Sequence, residues 1–103
     1  MDTHSLSPET VIAALLAHDA ELRRAGIRHL SLFGSVARGE ASDASDVDLA
    51  VELDPSAQVG LFRLMGLQRR LSEILGHQVD LVPEPAENPR LRQSIEQDRR
   101  RAF

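Results

Sequence analysis

Two short stretches of this sequence carry residue types that could do chemistry together. The first is Gly34-Ser35, and the second, ten residues further on, is Asp46-Val47-Asp48. A glycine lets the backbone approach a ligand closely, and a helix that starts there offers free N–H groups and a positive dipole end to a phosphate. The Ser35 hydroxyl adds a donor. On a strand, residues two apart share a face and lie roughly 6.5 Å apart, so Asp46 and Asp48 aim their carboxylates at one region. At about 6 Å and an effective dielectric near 20, two such charges repel by roughly 3 kcal/mol. A bound cation removes that repulsion. Oxygen ligands without a neighbouring His or Cys favour magnesium, with manganese next, and disfavour zinc.

Asp80, in Gln78-Val79-Asp80-Leu81-Val82, is a third carboxylate among apolar neighbours. If its strand pairs with that of Asp48 in the right register, the three acids converge. Three carboxylates beside a phosphate cradle suit two-metal phosphoryl or nucleotidyl transfer, with ions about 3.5–4 Å apart stabilising the attacking and leaving oxygens. A Walker-type site is excluded. Gly34 to Gly39 has the P-loop glycine spacing, but Glu40-Ala41 stands where Lys-Ser/Thr is needed. By composition, Gly-Ser, ten residues and Asp-x-Asp should occur by chance in about one chain in a thousand of this length.

The remaining elements must position these groups. Ser7-Pro8-Glu9 marks a helix start, and the apolar residues from Val11 to Leu22 carry that helix to Gly26. Ile27 to Phe33 reads as a strand running straight into Gly34. Val47 to Leu53 alternates, with Val47, Leu49, Val51 and Leu53 on one face and Asp46, Asp48, Ala50 and Glu52 on the other. A long helix is expected from about Ala57 to Leu75, carrying Leu61, Leu64, Met65, Leu71 and Leu75. Gly66 within it is explained most plainly by a close approach to the sheet. After the strand at 78–82, Asn88-Pro89 caps a last helix whose end is complemented by Arg99-Arg100-Arg101. The order α-β-β-α-β-α implies an α+β fold, one small mixed sheet with helices packed on it, over a single domain spanning residues 1–103.

Composition narrows the function. The chain has 103 residues, 42% of them apolar, a net charge of −4, no cysteine, no tryptophan and no tyrosine. Thiol chemistry and disulfide scaffolding are excluded, and direct nucleic-acid or membrane binding is not expected. The N-terminus, Met1-Asp2-Thr3-His4, lacks a cationic signal-peptide region.

Gly34-Ser35-Val36-Ala37-Arg38-Gly39-Glu40, Ser45-Asp46-Val47-Asp48-Leu49 and Val79-Asp80-Leu81-Val82 together resemble the minimal nucleotidyltransferases of the DNA polymerase β-like superfamily. Asn88 to Glu96 is similar to the tail of that group. At this size the resemblance is to MntA-type antitoxins, which pair with HEPN-domain ribonuclease toxins of the HepT kind. It implies a polymerase β-like nucleotidyltransferase fold and a cytoplasmic enzyme that moves AMP from ATP to a toxin tyrosine. Gly34 and Ser35 would hold the triphosphate. Asp46 and Asp48 would bind two Mg²⁺ ions, and Asp80 would complete the metal site and help deprotonate the attacking hydroxyl. Arg38 would either neutralise phosphate charge or pair with Glu40 or another acid. Two other readings stand beside it: an antitoxin that works by binding alone, and a small-molecule nucleotidyltransferase. Ser35 as a helix cap, Glu40, Asp43 and Ser45 as a solvated loop with Ser45 able to orient Asp46, and His18, His29 and His77 as non-ligands complete the expectations.

Overall fold

The computed structural model describes residues 6–42 and 45–103; Asp43 and the first five residues, on which two of the expectations fall, lie outside them. In chain order the elements are α1 (Pro8–Ala17), α2 (Asp19–Arg24), β1 (Ile27–Phe33), α3 (Gly34–Ala37), β2 (Val47–Leu53), α4 (Leu61–Leu75), β3 (Val79–Pro83), α5 (Pro89–Asp98) and β4 (Arg100–Arg101). The strands form one mixed sheet in the order β3-β2-β1-β4. β1 runs antiparallel to both β2 and β4, while β2 and β3 are parallel. An α+β fold with helices on a small mixed sheet is what the sequence implied.

Two helix starts follow the sequence signals. The Ser7 hydroxyl accepts from the Thr10 amide at 3.1 Å, and the Asn88 carboxamide accepts from the amides of Arg90 and Leu91. Each such cap is worth about 1 kcal/mol. One face of the sheet carries the main core, where Leu15, Leu22, Leu32, Val47, Leu49, Leu71 and Val79 are buried together. Burying each leucine contributes roughly 1.5–3 kcal/mol. The opposite face carries a smaller core of Phe33, Ala50, Ala86 and Ile95, with Val82 and Leu91 packed against it.

The structure departs from the sequence reading at five places. The first helix is broken at His18, whose amide reaches back three residues to Leu15 and whose ring Nδ1 lies 3.0 Å from the Ala14 carbonyl. The helix expected from Ala57 begins at Leu61 instead. Asp54 accepts from the amide and hydroxyl of Ser56, forming a short 3₁₀ turn over Pro55–Ala57, and Gln58 then adopts a left-handed conformation. Ala50, placed with the acids on an open face, is fully buried because α5 covers that half of the face. Arg99 to Arg101 do not complement a helix end. The helix stops at Asp98, and Arg100–Arg101 become an edge strand on β1. Arg99 pairs with Glu84 and also reaches the Ser31 hydroxyl, Arg100 pairs with Glu9, and Arg101 lies on His29.

Gly66 is the fifth. No atom outside its own helix turn stands within 4 Å of where its Cβ would be, so no close approach to the sheet requires it. It lies on the outer side of α4 with Phe62, 88% exposed, and Met65, 60% exposed, although Met65 and Leu61 were expected to pack inward. Gly66→Ala is therefore expected to raise stability by about 1 kcal/mol, the helix-propensity difference. Urea unfolding at 25 °C checks this, and a loss of stability would show that a constraint within the folded chain outweighs helix propensity at this position. No helix among the described residues is long and apolar enough to cross a membrane.

Candidate active site

The site is built by register. β1 ends at Phe33, which sits opposite Asp48 on β2, and Asp48 sits opposite Asp80 on β3. Neighbouring strands are about 4.8 Å apart, so the two carboxylates share one level of the sheet on the face that also carries Ala50 and Val82. At this level the smaller core covers Phe33 on β1 but not the two acids, leaving Asp48 half-buried and Asp80 exposed. Asp46 immediately precedes β2 and is exposed. Burial, followed by the negative charges of Asp80 and Asp46, pushes the Asp48 carboxyl above its ordinary value, against a smaller opposing effect of Arg38. Asp48 is the group on which the site's charge converges.

The glycine corner closes onto that carboxylate. Gly34 has φ +80°, and a Cβ there would lie 3.2 Å from Asp48 Cγ and 3.3 Å from its Cβ, and closer still to Oδ2. The backbone at Gly34 thus occupies space available only to a residue without a side chain. Ser35 follows in the first turn of α3. It is not the cap: the N-cap position is Phe33, and no side chain caps this helix. First-turn amides have no intrahelical acceptor, which leaves the Gly34–Ser35 corner rich in donors beside the acids.

Arg38, left open between phosphate and a carboxylate partner, is held by acids. Its Nε donates to Glu40 at 2.9 Å and its Nη1 to Asp98 at 2.7 Å, which favours its charged form. The Asp98 contact ties the loop after α3 to the end of α5, across 60 residues of sequence. Nothing in the local pattern marks Asp98 for this, because only the fold brings the two together. Ser45 does not reach for Asp46; its hydroxyl accepts from the Ser42 amide at 2.9 Å. Glu40 is exposed, as expected of a solvated loop, and is bound to Arg38. His18, His29 and His77 sit in separate places without converging.

Three carboxylates and no nitrogen or sulfur donor fit a hard divalent cation such as Mg²⁺. The raised Asp48 carboxyl fits it too, since a cation would offset both the burial and the repulsion by Asp80 and Asp46 that raise it. Asp48 and Asp80 are in register, while Asp46 lies just outside the strand and acts on Asp48 through its charge. Among the described residues no three His, Cys, Asp or Glu side chains are gathered into a group that could hold a metal ion, so the register pairs Asp48 with Asp80 without bringing all three acids to one point.

The sequence profile of the nucleotidyltransferase domain family matches residues 19–102, and it is this match that sets the class of the protein. The chain belongs to that family and is a nucleotidyltransferase. More particularly, it is 41% identical over 78 residues to the protein adenylyltransferase MntA of Thermococcus cleftensis, covering 75% of this chain and 77% of that one. A solved minimal nucleotidyltransferase superposes with a TM-score of 0.77 at 34% identity, covering 96% of this chain and 98% of the other. A chain of the Shewanella oneidensis complex between a tri-AMPylated HEPN toxin and an MNT antitoxin shares the fold, with a TM-score of 0.63 at 20% identity over 89% of this chain and 71% of that one.

Proposed function

We propose that this chain is a Mg²⁺-dependent protein adenylyltransferase that moves AMP from ATP to a tyrosyl hydroxyl of a HEPN-domain toxin and thereby acts as its antitoxin. The observation that carries the reading is the seating of the Gly34 backbone against Asp48, with Asp80 one strand further in the same register. A donor-rich corner beside a register pair of carboxylates is a layout that suits phosphoryl chemistry. The activity named for the Thermococcus relative supports the acceptor class, and the Shewanella complex supports the partner.

In this reading the Gly34 and Ser35 amides and the Ser35 hydroxyl hold the β- and γ-phosphates of ATP. Asp46, Asp48 and Asp80 would hold Mg²⁺, which would supply charge stabilisation to the oxygens at phosphorus. Asp80, the most exposed of the register pair, takes the proton from the acceptor hydroxyl. The hydroxyl oxygen forms a bond to the α-phosphorus, the bond from that phosphorus to the bridging oxygen breaks, and pyrophosphate leaves. Arg38 remains on Glu40 and Asp98 and stabilises negative charge around Asp48 from the side.

The test mixes the chain with ATP labelled at the α-phosphate, Mg²⁺ and the protein encoded by the adjacent gene. Label on that protein is expected with the wild type. Asp48→Ala is expected to lower the rate by about 10³-fold or more, because several kcal/mol of charge stabilisation is lost and each 1.36 kcal/mol is tenfold. Neutralisation of the partner by Asp48→Ala, with no label transferred, would instead establish an antitoxin that acts by binding.

A further inference from the structure

The α5 helix ends on an acid. Asp98 is its last residue, where the helix dipole favours a cation and disfavours a carboxylate. Its side chain is only 14% exposed. Its one side-chain partner among the described residues is Arg38, whose Nη1 donates to it at 2.7 Å. A carboxylate in that position does not serve α5 itself. One turn earlier, Ile95 is buried in the smaller core with Phe33, the residue before Gly34. The end of α5 is therefore fixed on the strand that leads into the glycine corner.

Arg38 in turn belongs to the corner. The helix α3 is a single turn, and the Arg38 amide closes it by donating to the Gly34 carbonyl at 3.1 Å. One turn of helix does not hold itself, because its nucleus fixes several dihedrals for one hydrogen bond. Its place comes from the burial of Val36 and Ala37 in the main core and from the side chain of Arg38. Two acids grip the guanidinium, Glu40 at Nε and Asp98 at Nη1. Glu40 lies two residues away in the same exposed loop, so it moves with Arg38 and cannot fix it to the rest of the molecule. Asp98 can. Among the described residues theirs is the one ion pair that joins this corner to another element. The position of the guanidinium also matters to the acids, since its charge opposes the effect of Asp80 and Asp46 on Asp48.

Resting on the reading that the Gly34–Ser35 corner holds the triphosphate, we propose that Asp98 is a positioning residue for nucleotide binding. It anchors Arg38, and through Arg38 the one-turn α3, so that the corner amides and the guanidinium charge are in place before ATP arrives. Asp98 acts only through Arg38. Such preorganisation is read as affinity, because donors already in place lose less freedom on binding.

Asp98→Asn removes the charge and keeps the shape, while Asp98→Glu keeps the charge on a longer stem. Both variants, Arg38→Gln, and Arg38→Gln combined with Asp98→Asn are titrated with AMP-PNP and Mg²⁺ by calorimetry, with urea unfolding alongside. Asp98→Asn is expected to weaken AMP-PNP binding about tenfold, the scale of one charge-assisted contact, and Asp98→Glu to recover most of that. In the Arg38→Gln background, Asp98→Asn is expected to cost nothing further. A purely structural role would lower stability and leave the affinity of the folded protein unmoved, and that result overturns the proposal. Tighter binding by Asp98→Asn overturns it too, since Asp98 would then be withholding Arg38 from the nucleotide. Additive losses in the double variant would show that Asp98 acts without Arg38 and overturn it equally. If Asp98→Asn does not fold, Asp98→Ala carries the same expectation. Wild type that binds AMP-PNP yet labels no protein fails the acceptor reading alone, and the titrations still decide the role of Asp98. Wild type that binds no AMP-PNP overturns both.

Discussion

Gly34→Ala is expected to lower stability by about 2–4 kcal/mol and AMP transfer by at least about 10²-fold. Two effects combine. An L-residue at φ +80° costs roughly 1–2 kcal/mol. The new methyl group also overlaps the Asp48 carboxylate, and relieving an overlap of that kind adds about 1–3 kcal/mol. The relief must move Asp48 or the corner, and a shift of about 1 Å in a reacting constellation is enough for a loss of about 10²-fold. Gly39 supplies the control: its φ is +75°, but nothing lies within 4 Å of where its Cβ would be. Gly39→Ala should therefore carry the backbone strain alone, losing about 1–2 kcal/mol while keeping transfer close to wild type. Urea unfolding and the label-transfer assay on both variants separate strain from contact. Transfer equally impaired in the two would mean that the corner acts through general loosening and not through its fit against Asp48.

The elements that carry the candidate site are legible in the sequence because they are written in short-range patterns. Gly34-Ser35 ends a strand, Asp48 and Asp80 alternate with apolar neighbours, and the apolar alternation of β2 and β3 fixes which face the acids take. The pairing of Asp48 with Asp80 could be stated as a condition and is met by the parallel register. What could not be read is what depends on pairs distant in sequence. Ala50 alternates with the acids, yet it is buried, since the same face is open at Asp48 and covered by α5 only two residues later. Arg99 to Arg101 look like a helix end and become ion-pair partners and an edge strand, because the free edge of β1 offers backbone bonds that the end of a helix does not. The contact of Arg38 with Asp98 belongs to the same kind. The long α4 starts later than its apolar pattern implies, because Asp54 and Ser56 satisfy the backbone locally before the helix can begin.

Asp48→Asn should pull stability and chemistry in opposite directions. The wild-type carboxyl is raised above its ordinary 3.8 by burial first and then by Asp80 and Asp46. Between 3.8 and that raised value the native chain binds more protons than the unfolded one, so wild-type stability falls as pH rises through this window and levels off above it. Asparagine carries no charge to be desolvated or repelled. The stability difference between variant and wild type, measured by urea unfolding in EDTA, should thus be smallest in acid and should grow in the variant's favour towards a plateau at neutral pH. Parallel curves would mean that neither burial nor the neighbouring acids raise the Asp48 carboxyl in the native chain. Adding Mg²⁺ at pH 7.5 should raise the melting temperature of the wild type and leave that of Asp48→Asn nearly unmoved, since a ligand stabilises only the state that binds it. Transfer by the variant should fall by about 10³-fold or more even as its metal-free form melts higher. A folded, more stable and inactive Asp48→Asn would identify the repelled carboxylate as a group kept for its reaction and not for the fold, as expected where a site holds like charges together against their mutual repulsion.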